Sequence, residues 1–378
     1  NNINAKPKGI SVWDFDGVSW SQAGATLYSP GGQELFGHDV EITPDGKRIV
    51  VGISRLTSSG AVRVYEYDGL NWNQVGSTID NLSQGNSIGE SVDISPDGTT
   101  IVIGDPRFEE SSGAYSGRGM CLVYEYDGVN WNQLGQNIFG DYTGDSIGRD
   151  ISISSDKKRI LFGSPGIDGR GAGLRGGLYS YDYNGSTWDR TTSTFGEANR
   201  DRFAYSSSMT PDGTRFVGGA EISNLKGGIV TSFGNGLAIN HDGSVIAIAT
   251  TLASSNPMKI IIFNKLGGVW TRVGDIQAPN PPLGEDNRNR HLIANGLMCD
   301  LAISADGKTI VGCVWSVEDD KGYAWVFTGE GGDWSLHTEL KSDLGERLAR
   351  NCAISPDGKV IALSMQMIDT WDTFRGGE

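Results

Sequence analysis

Ile88-Gly-Glu-Ser-Val-Asp-Ile-Ser-Pro-Asp-Gly98 runs into Thr99-Thr-Ile-Val-Ile-Gly104, and after a polar loop come Cys121-Leu-Val-Tyr-Glu-Tyr-Asp-Gly128 and Val129-Asn-Trp-Asn-Gln-Leu-Gly135. Val92 and Ile94 alternate with polar residues, the period of a half-buried strand. Pro96-Asp97-Gly98 is a turn: Pro presets one φ, and Gly supplies the left-handed residue of a bulged hairpin. Asp127-Gly128, between two aromatic-rich runs, predicts a second hairpin. One unit is therefore four antiparallel strands, A to D in chain order.

The unit repeats, and the repeats decide the architecture. The A–B turn recurs at Asp45, Asp97, Asp156, Asp212, Asp242, Asp306 and Asp357, and the C–D hairpin at Trp20, Trp72, Trp131, Trp188, Trp270 and Trp334. The chain begins with a C–D hairpin, Gly9 to Trp20, and finishes with an A–B hairpin, Cys352 to Leu363. Joining these halves closes a ring and removes the exposed sheet edges that invite aggregation. The expected fold is all-β: a seven-bladed β-propeller closed by N-terminal C–D and C-terminal A–B hairpins. Between Asp212 and Asp242 no Trp hairpin intervenes, so blade 4 is expected to be truncated. Six blades with a supernumerary hairpin is the rival count. The expected organisation is one domain, 1–378: residues 9–24 with 350–378 as the closing blade, then 36–78, 88–138, 147–193, 203–232 (truncated), 233–277 and 297–340.

Composition narrows the partners. The 378 residues include 55 Gly, about twice ordinary usage, as a chain of turns requires. A net charge of −15 excludes nucleic acid, whose phosphate backbone needs a basic surface. No apolar run is long enough to span a membrane. The four Cys are too few to scaffold a chain of this length. Cys352 takes the core position of Val92 in its A strand. A turn at Asp306-Gly307 that pairs Ser304 with Lys308 sets Cys299 opposite Cys313, which would allow a cross-strand disulfide; buried free thiols are the alternative.

Phe36-Gly37 through Val51-Gly52, followed by Gly60-Ala-Val-Arg-Val-Tyr65, resembles the FG-GAP repeat of the integrin α-subunit propeller, and Phe233-Gly234 and the looser Ile88-Gly89 and Ile147-Gly148 continue the likeness. The resemblance implies a seven-bladed propeller used for extracellular recognition. That family places calcium loops between strands A and B; here Ser-Pro-Asp-Gly turns offer too few oxygens for a six- to eight-coordinate ion. The turns are also similar to those of Trp-Asp-repeat and TolB-like propellers.

No catalytic constellation emerges. Gly85-Asn-Ser-Ile-Gly89 and Gly144-Asp-Ser-Ile-Gly148 match the nucleophile-elbow pattern, but that motif needs a strand-to-helix turn, and both occupy one slot of the repeat. The four His lack ligand or triad spacing, and the Trp residues are expected to pack between blades. Strand alternation puts the tight A–B and C–D turns on one face and the long B–C and D–A loops on the other. Long loops on a rigid scaffold carry binding residues. The candidates are Arg107, Phe108, Glu109, Tyr115, Arg118, Arg170, Arg175, Arg200 and Arg202, a mix typical of recognition hot spots. The expected protein is a non-enzymatic adhesion propeller on a cell or virion surface, binding a protein or glycan, with no cofactor and no metal. The alternative is a structural assembly subunit that packs with other chains. An enzyme, ranked last, would gather carboxylates, or His and Arg, at the axial mouth with shifted pKa values.

Overall fold

A computed structural model describes residues 9–29, 35–54, 60–80, 87–109, 117–166, 175–197, 202–220, 232–251, 259–277, 279, 297–316, 321–340 and 351–365. Among them there is no helix, and the strands form six antiparallel sheets. The closing sheet holds β1 (Gly9–Phe15), β2 (Trp20–Gln22), β3 (Leu27–Tyr28), β27 (Cys352–Ile354) and β28 (Val360–Met365). The next is β4 (Leu35–Ile42), β5 (Arg48–Ser54), β6 (Ala61–Tyr67) and β7 (Trp72–Gln74). It is followed by β8 (Ser91–Ile94), β9 (Thr100–Asp105), β10 (Met120–Tyr126), β11 (Trp131–Gln133) and β12 (Ile138–Phe139). The fourth is β13 (Ile151–Ile153), β14 (Arg159–Ser164), β15 (Gly177–Tyr183) and β16 (Trp188–Phe195). A six-stranded sheet contains β17 (Phe203–Met209), β18 (Phe216–Ala220), β19 (Ser232–Ile239), β20 (Val245–Thr251), β21 (Lys259–Leu266) and β22 (Val269–Gln277). The last is β23 (Leu297–Ile303), β24 (Thr309–Ser316), β25 (Lys321–Glu330) and β26 (Asp333–Leu340).

Ring closure follows the sequence reading. β1 pairs with β28 from Gly9↔Met365 to Asp14↔Val360, so both chain ends share one sheet. The inner strands β4, β8, β13, β17, β19, β23 and β27 touch in that order, and β27 returns to β4.

The count of seven blades is corrected to six. Hairpin β17–β18 does not stand as a blade of its own: Ala220 pairs with Phe233, joining it to β19–β22 in one sheet. It is the supernumerary hairpin of the rival count. With no C–D hairpin to follow, β18 has β19 as its second neighbour in the sheet.

The turns explain themselves chemically. In the turn after β8, Ser95 Oγ donates to Asp97 Oδ1 at 2.6 Å, Asp97 accepts the Thr99 N–H, and Ser95 Oγ accepts the Thr100 N–H. The same lattice recurs at Thr43, Ser154, Thr210, Ser304 and Ser355. The Trp prediction also holds on D strands β7, β11 and β16. Trp72, Trp131 and Trp188 are buried, and each indole N–H donates to the preceding blade, at Ala23, Val75 and Leu134. A Cβ on Gly135 would lie 2.7 Å from the Trp188 ring, so that indole needs glycine beneath it. Trp270 departs from the rule and is 37% exposed.

The cysteines need one correction. The turn pairs Ser304 with Thr309 rather than Lys308, and the ladder that follows sets Asp300, not Cys299, opposite Cys313. Cys313 and Cys352 are free and buried, as is Cys121, while the Cys299 side chain lies outside the described residues.

Candidate functional site

Seven residues before each A–B turn Asp is one slot of the repeat, and four successive A-strand segments place His38, Glu90, Arg149 and Tyr205 in it. Glu90 and Arg149 stand just before β8 and β13, and His38 and Tyr205 in the first half of β4 and β17, towards the long-loop side. The Arg149 guanidinium pairs with the Glu90 carboxylate, donates to Tyr205 Oη at 2.7 Å and lies 4.8 Å from that ring. His38 Nδ1 is 2.9 Å from the Glu90 carbonyl oxygen. Arg107 approaches the other Glu90 oxygen at 3.4 Å. Four blades are thereby tied into one polar cluster. Its exposure is graded: the Glu90 side chain is 1% exposed, Arg149 22% and Arg107 49%. The carboxylate is the buried base, and the guanidinium groups face outward.

Asp105 extends the cluster inward. It accepts from Ser87 Oγ at 2.6 Å and from the Ser87 N–H, while Oδ2 has no hydrogen-bond partner among the described residues. Burial lifts its pKa to about 6, with the Glu90 charge adding to the shift. Burial alone opposes the Arg149 charge, yet Tyr205 and Glu90 raise its pKa on balance.

One residue deeper along the A strands stand Asp39, Asp150 and Asp300, and two residues beyond that slot stand Glu41 and Asp93. Each Asp accepts a backbone N–H of the next inner strand: Asp39 from Val92 at 2.7 Å, Asp93 from Ile153 at 2.6 Å, Asp150 from Ser207, and Asp300 from Cys352 at 2.9 Å. Asn351 Nδ2 donates to Asp39 at 2.9 Å, bridging the closing blade to the first. These groups are staples between blades, and they crowd one another. Burial raises Asp93, Asp150 and Asp300 to about 7, with repulsion from neighbouring carboxylates adding to it. Glu41 is pushed well up by burial and by Asp93, Asp39, Asp300 and Asp150 together. Among the described residues no group of three or more His, Cys, Asp or Glu has the geometry to hold a metal ion.

The residues expected from sequence fall into two sets. Tyr115, Arg170 and Arg200 lie outside the described residues. Of the rest, Arg107 meets the axial cluster at Glu90. Phe108 is core, tilted against Phe139 with ring centroids 5.2 Å apart, and Arg118 covers the Phe139 ring and donates to the Gly140 carbonyl. Glu109 is half-buried. Arg175 is exposed at the loop that meets Phe203, beside Arg202. Sequence reading missed His38, Glu90, Arg149, Tyr205 and the axial Asp residues. The signal was the slot number, since four chemically different residues in one slot make no motif.

No family model matches the chain, and no curated protein matches it by sequence. The FG-GAP likeness therefore gains no support. Solved structures share the fold. The periplasmic gluconolactonase of Pseudomonas aeruginosa is 10% identical over 89% of this chain and 96% of its own, with a TM-score of 0.55. A 6-phosphogluconolactonase structure from Bacteroides uniformis is 13% identical over 89% and 97%, at 0.53. A TolB-type protein of Agrobacterium tumefaciens is 15% identical over 96% of this chain and 99% of its own, with a TM-score of 0.48. The class is the β-propeller. The expectation that the chain is not an enzyme is corrected: proteins named as lactonases share this architecture, so the fold is one that enzymes use.

Proposed function

We propose that the chain recognises a glycan or sugar acid at the long-loop mouth of its axis. One observation carries the reading: successive inner strands bring Glu90, Arg149, Tyr205 and His38 into one bonded cluster, with Arg107 above it. Hydroxyl-rich, acidic ligands suit that set. Guanidinium groups grip carboxylate or phosphate oxygens in pairs, an aromatic ring stacks on a sugar face, and a carboxylate accepts from hydroxyls. Glu90 and Asp105 also supply two buried acids for proton transfer if a bound lactone or glycoside is turned over. Display outside a cell or on a particle is part of the same reading. In the described residues no helix is long and apolar enough to cross a membrane. The test is a glycan and sugar-acid array, with each hit also assayed for ring opening or glycosidic cleavage. Arg107→Ala and Tyr205→Phe should each weaken a hit at least tenfold. Hits that both variants retain unchanged would remove the mouth from the reading.

A second reading, assembly with other chains, has its own support. The C–D turn tips carry exposed aliphatic residues in successive blades: Val18 at 85%, Leu70 at 73% and Val129 at 69% exposed. Solution mass settles it. A monomer at all concentrations, unchanged by Leu70→Ser, would end that reading.

A further inference from the structure

Cys313 lies on β24 and Cys352 on β27, strands of two neighbouring blades. Their side chains pack in one apolar cluster with Val311, Leu340, Ile361 and Leu363. The Cys352 thiol donates across the seam to the carbonyl oxygen of Val311 at 3.7 Å, two residues from Cys313 on the same strand. Asp300 fixes this geometry from the side: it pairs with Cys313 across β23–β24 and accepts the Cys352 N–H at 2.9 Å. A disulfide joins two cysteines whose Cα atoms lie roughly 4.4–6.8 Å apart, a span suited to side chains that share one cluster across facing strands. The seam they straddle is where the β27–β28 hairpin docks on the β23–β26 blade.

We propose that Cys313 and Cys352 form an inter-blade disulfide when the chain folds in an oxidising medium. Two thiols each lose a proton, and their two electrons reduce a small-molecule disulfide, which leaves as two thiols. In the folded ring both sulfurs are buried, and burial raises both thiol pKa values. Thiolate, the reactive form, is therefore scarce once β27 has docked. Exchange happens before docking, and the redox state present at folding is kept afterwards.

The test refolds the protein once with oxidised glutathione and once with dithiothreitol, then denatures and alkylates it. The four cysteines should take four alkyl groups after dithiothreitol and two after glutathione, with a linked peptide joining 313 to 352. The oxidised form should melt several degrees higher, as expected for closing a loop of this length. Cys313→Ala and Cys352→Ala should each show three alkyl groups in both media and lose the thermal gain, while Cys121→Ala, outside the pair, keeps the loss of two. Four alkyl groups on the wild-type chain in both media, or a linked peptide through Cys121 or Cys299, would overturn the proposal.

Discussion

At residue scale, the C–D turns show how a repeat tolerates exchange. Asp68 and Asp127 each accept from the amide of an Asn five residues on, Asn73 and Asn132, at 2.8 Å. In the next blade the pair is reversed: Asn184 donates to Asp189 at 2.7 Å. The bond survives because both members changed. Asn184→Asp alone would set two carboxylates face to face. It should cost about 0.5–1 kcal/mol, as an exposed pair does, and Asp189→Asn added to it should restore the loss. A double-mutant thermal-melt cycle with no coupling would refute this. The indoles provide a larger effect. Trp188 is 1% exposed and bonded to Leu134, so Trp188→Ala should cost about 3–5 kcal/mol. Trp270, 37% exposed, should lose about 1 kcal/mol or less on the same change. Equal losses in urea titrations would mean the two sites are not packed as described.

At the scale of elements, the strand pairs and turns were legible because each rests on local chemistry. Gly98 and its counterparts hold positive φ, Ser95 and Asp97 bond within the turn, and the apolar period follows the pleat. The blade count was not legible. Both counts contain the β17–β18 hairpin, and what separates them is a long-range pair, Ala220 with Phe233. The site was hidden for a related reason. Glu90 reads as one more polar residue until β8 and β13 are set side by side and Arg149 meets it. A consequence follows for β18. Its described link to β19 is that one pair, whereas β5 and β9 are each laddered on both sides. Amides of β18 should therefore exchange with deuterium well ahead of those in β5 and β9. Equal protection would show that β18 is as firmly held as a regular B strand.

At the scale of the whole molecule, the axis carries an electrostatic cost that depends on pH. Asp93, Asp150 and Asp300 have folded pKa values near 7 against an ordinary 3.8. A group raised in the folded state binds its proton more tightly there than when unfolded. Its contribution is fully present below pH 4 and is lost as pH climbs through about 7. The turn groups act in the opposite sense. Asp212, held down to about 2 by bonds from Thr210 and Thr214, and Asp97, lowered by Ser95, Thr99 and Lys157 against the pull of burial, stabilise above pH 4 and lose that effect in acid. Thermal stability should therefore peak between roughly pH 4 and 6 and fall by several degrees towards pH 8. A flat profile from pH 5 to 8 would contradict the gathered carboxylates. Their convergence from separate blades onto one axis underlies both the site and the closed ring. Carboxyl-carbon NMR titration of Asp93, Asp150 and Asp300 tests it most directly. Midpoints near pH 7 are expected for all three, and midpoints near 4 would mean that the three stand apart in water.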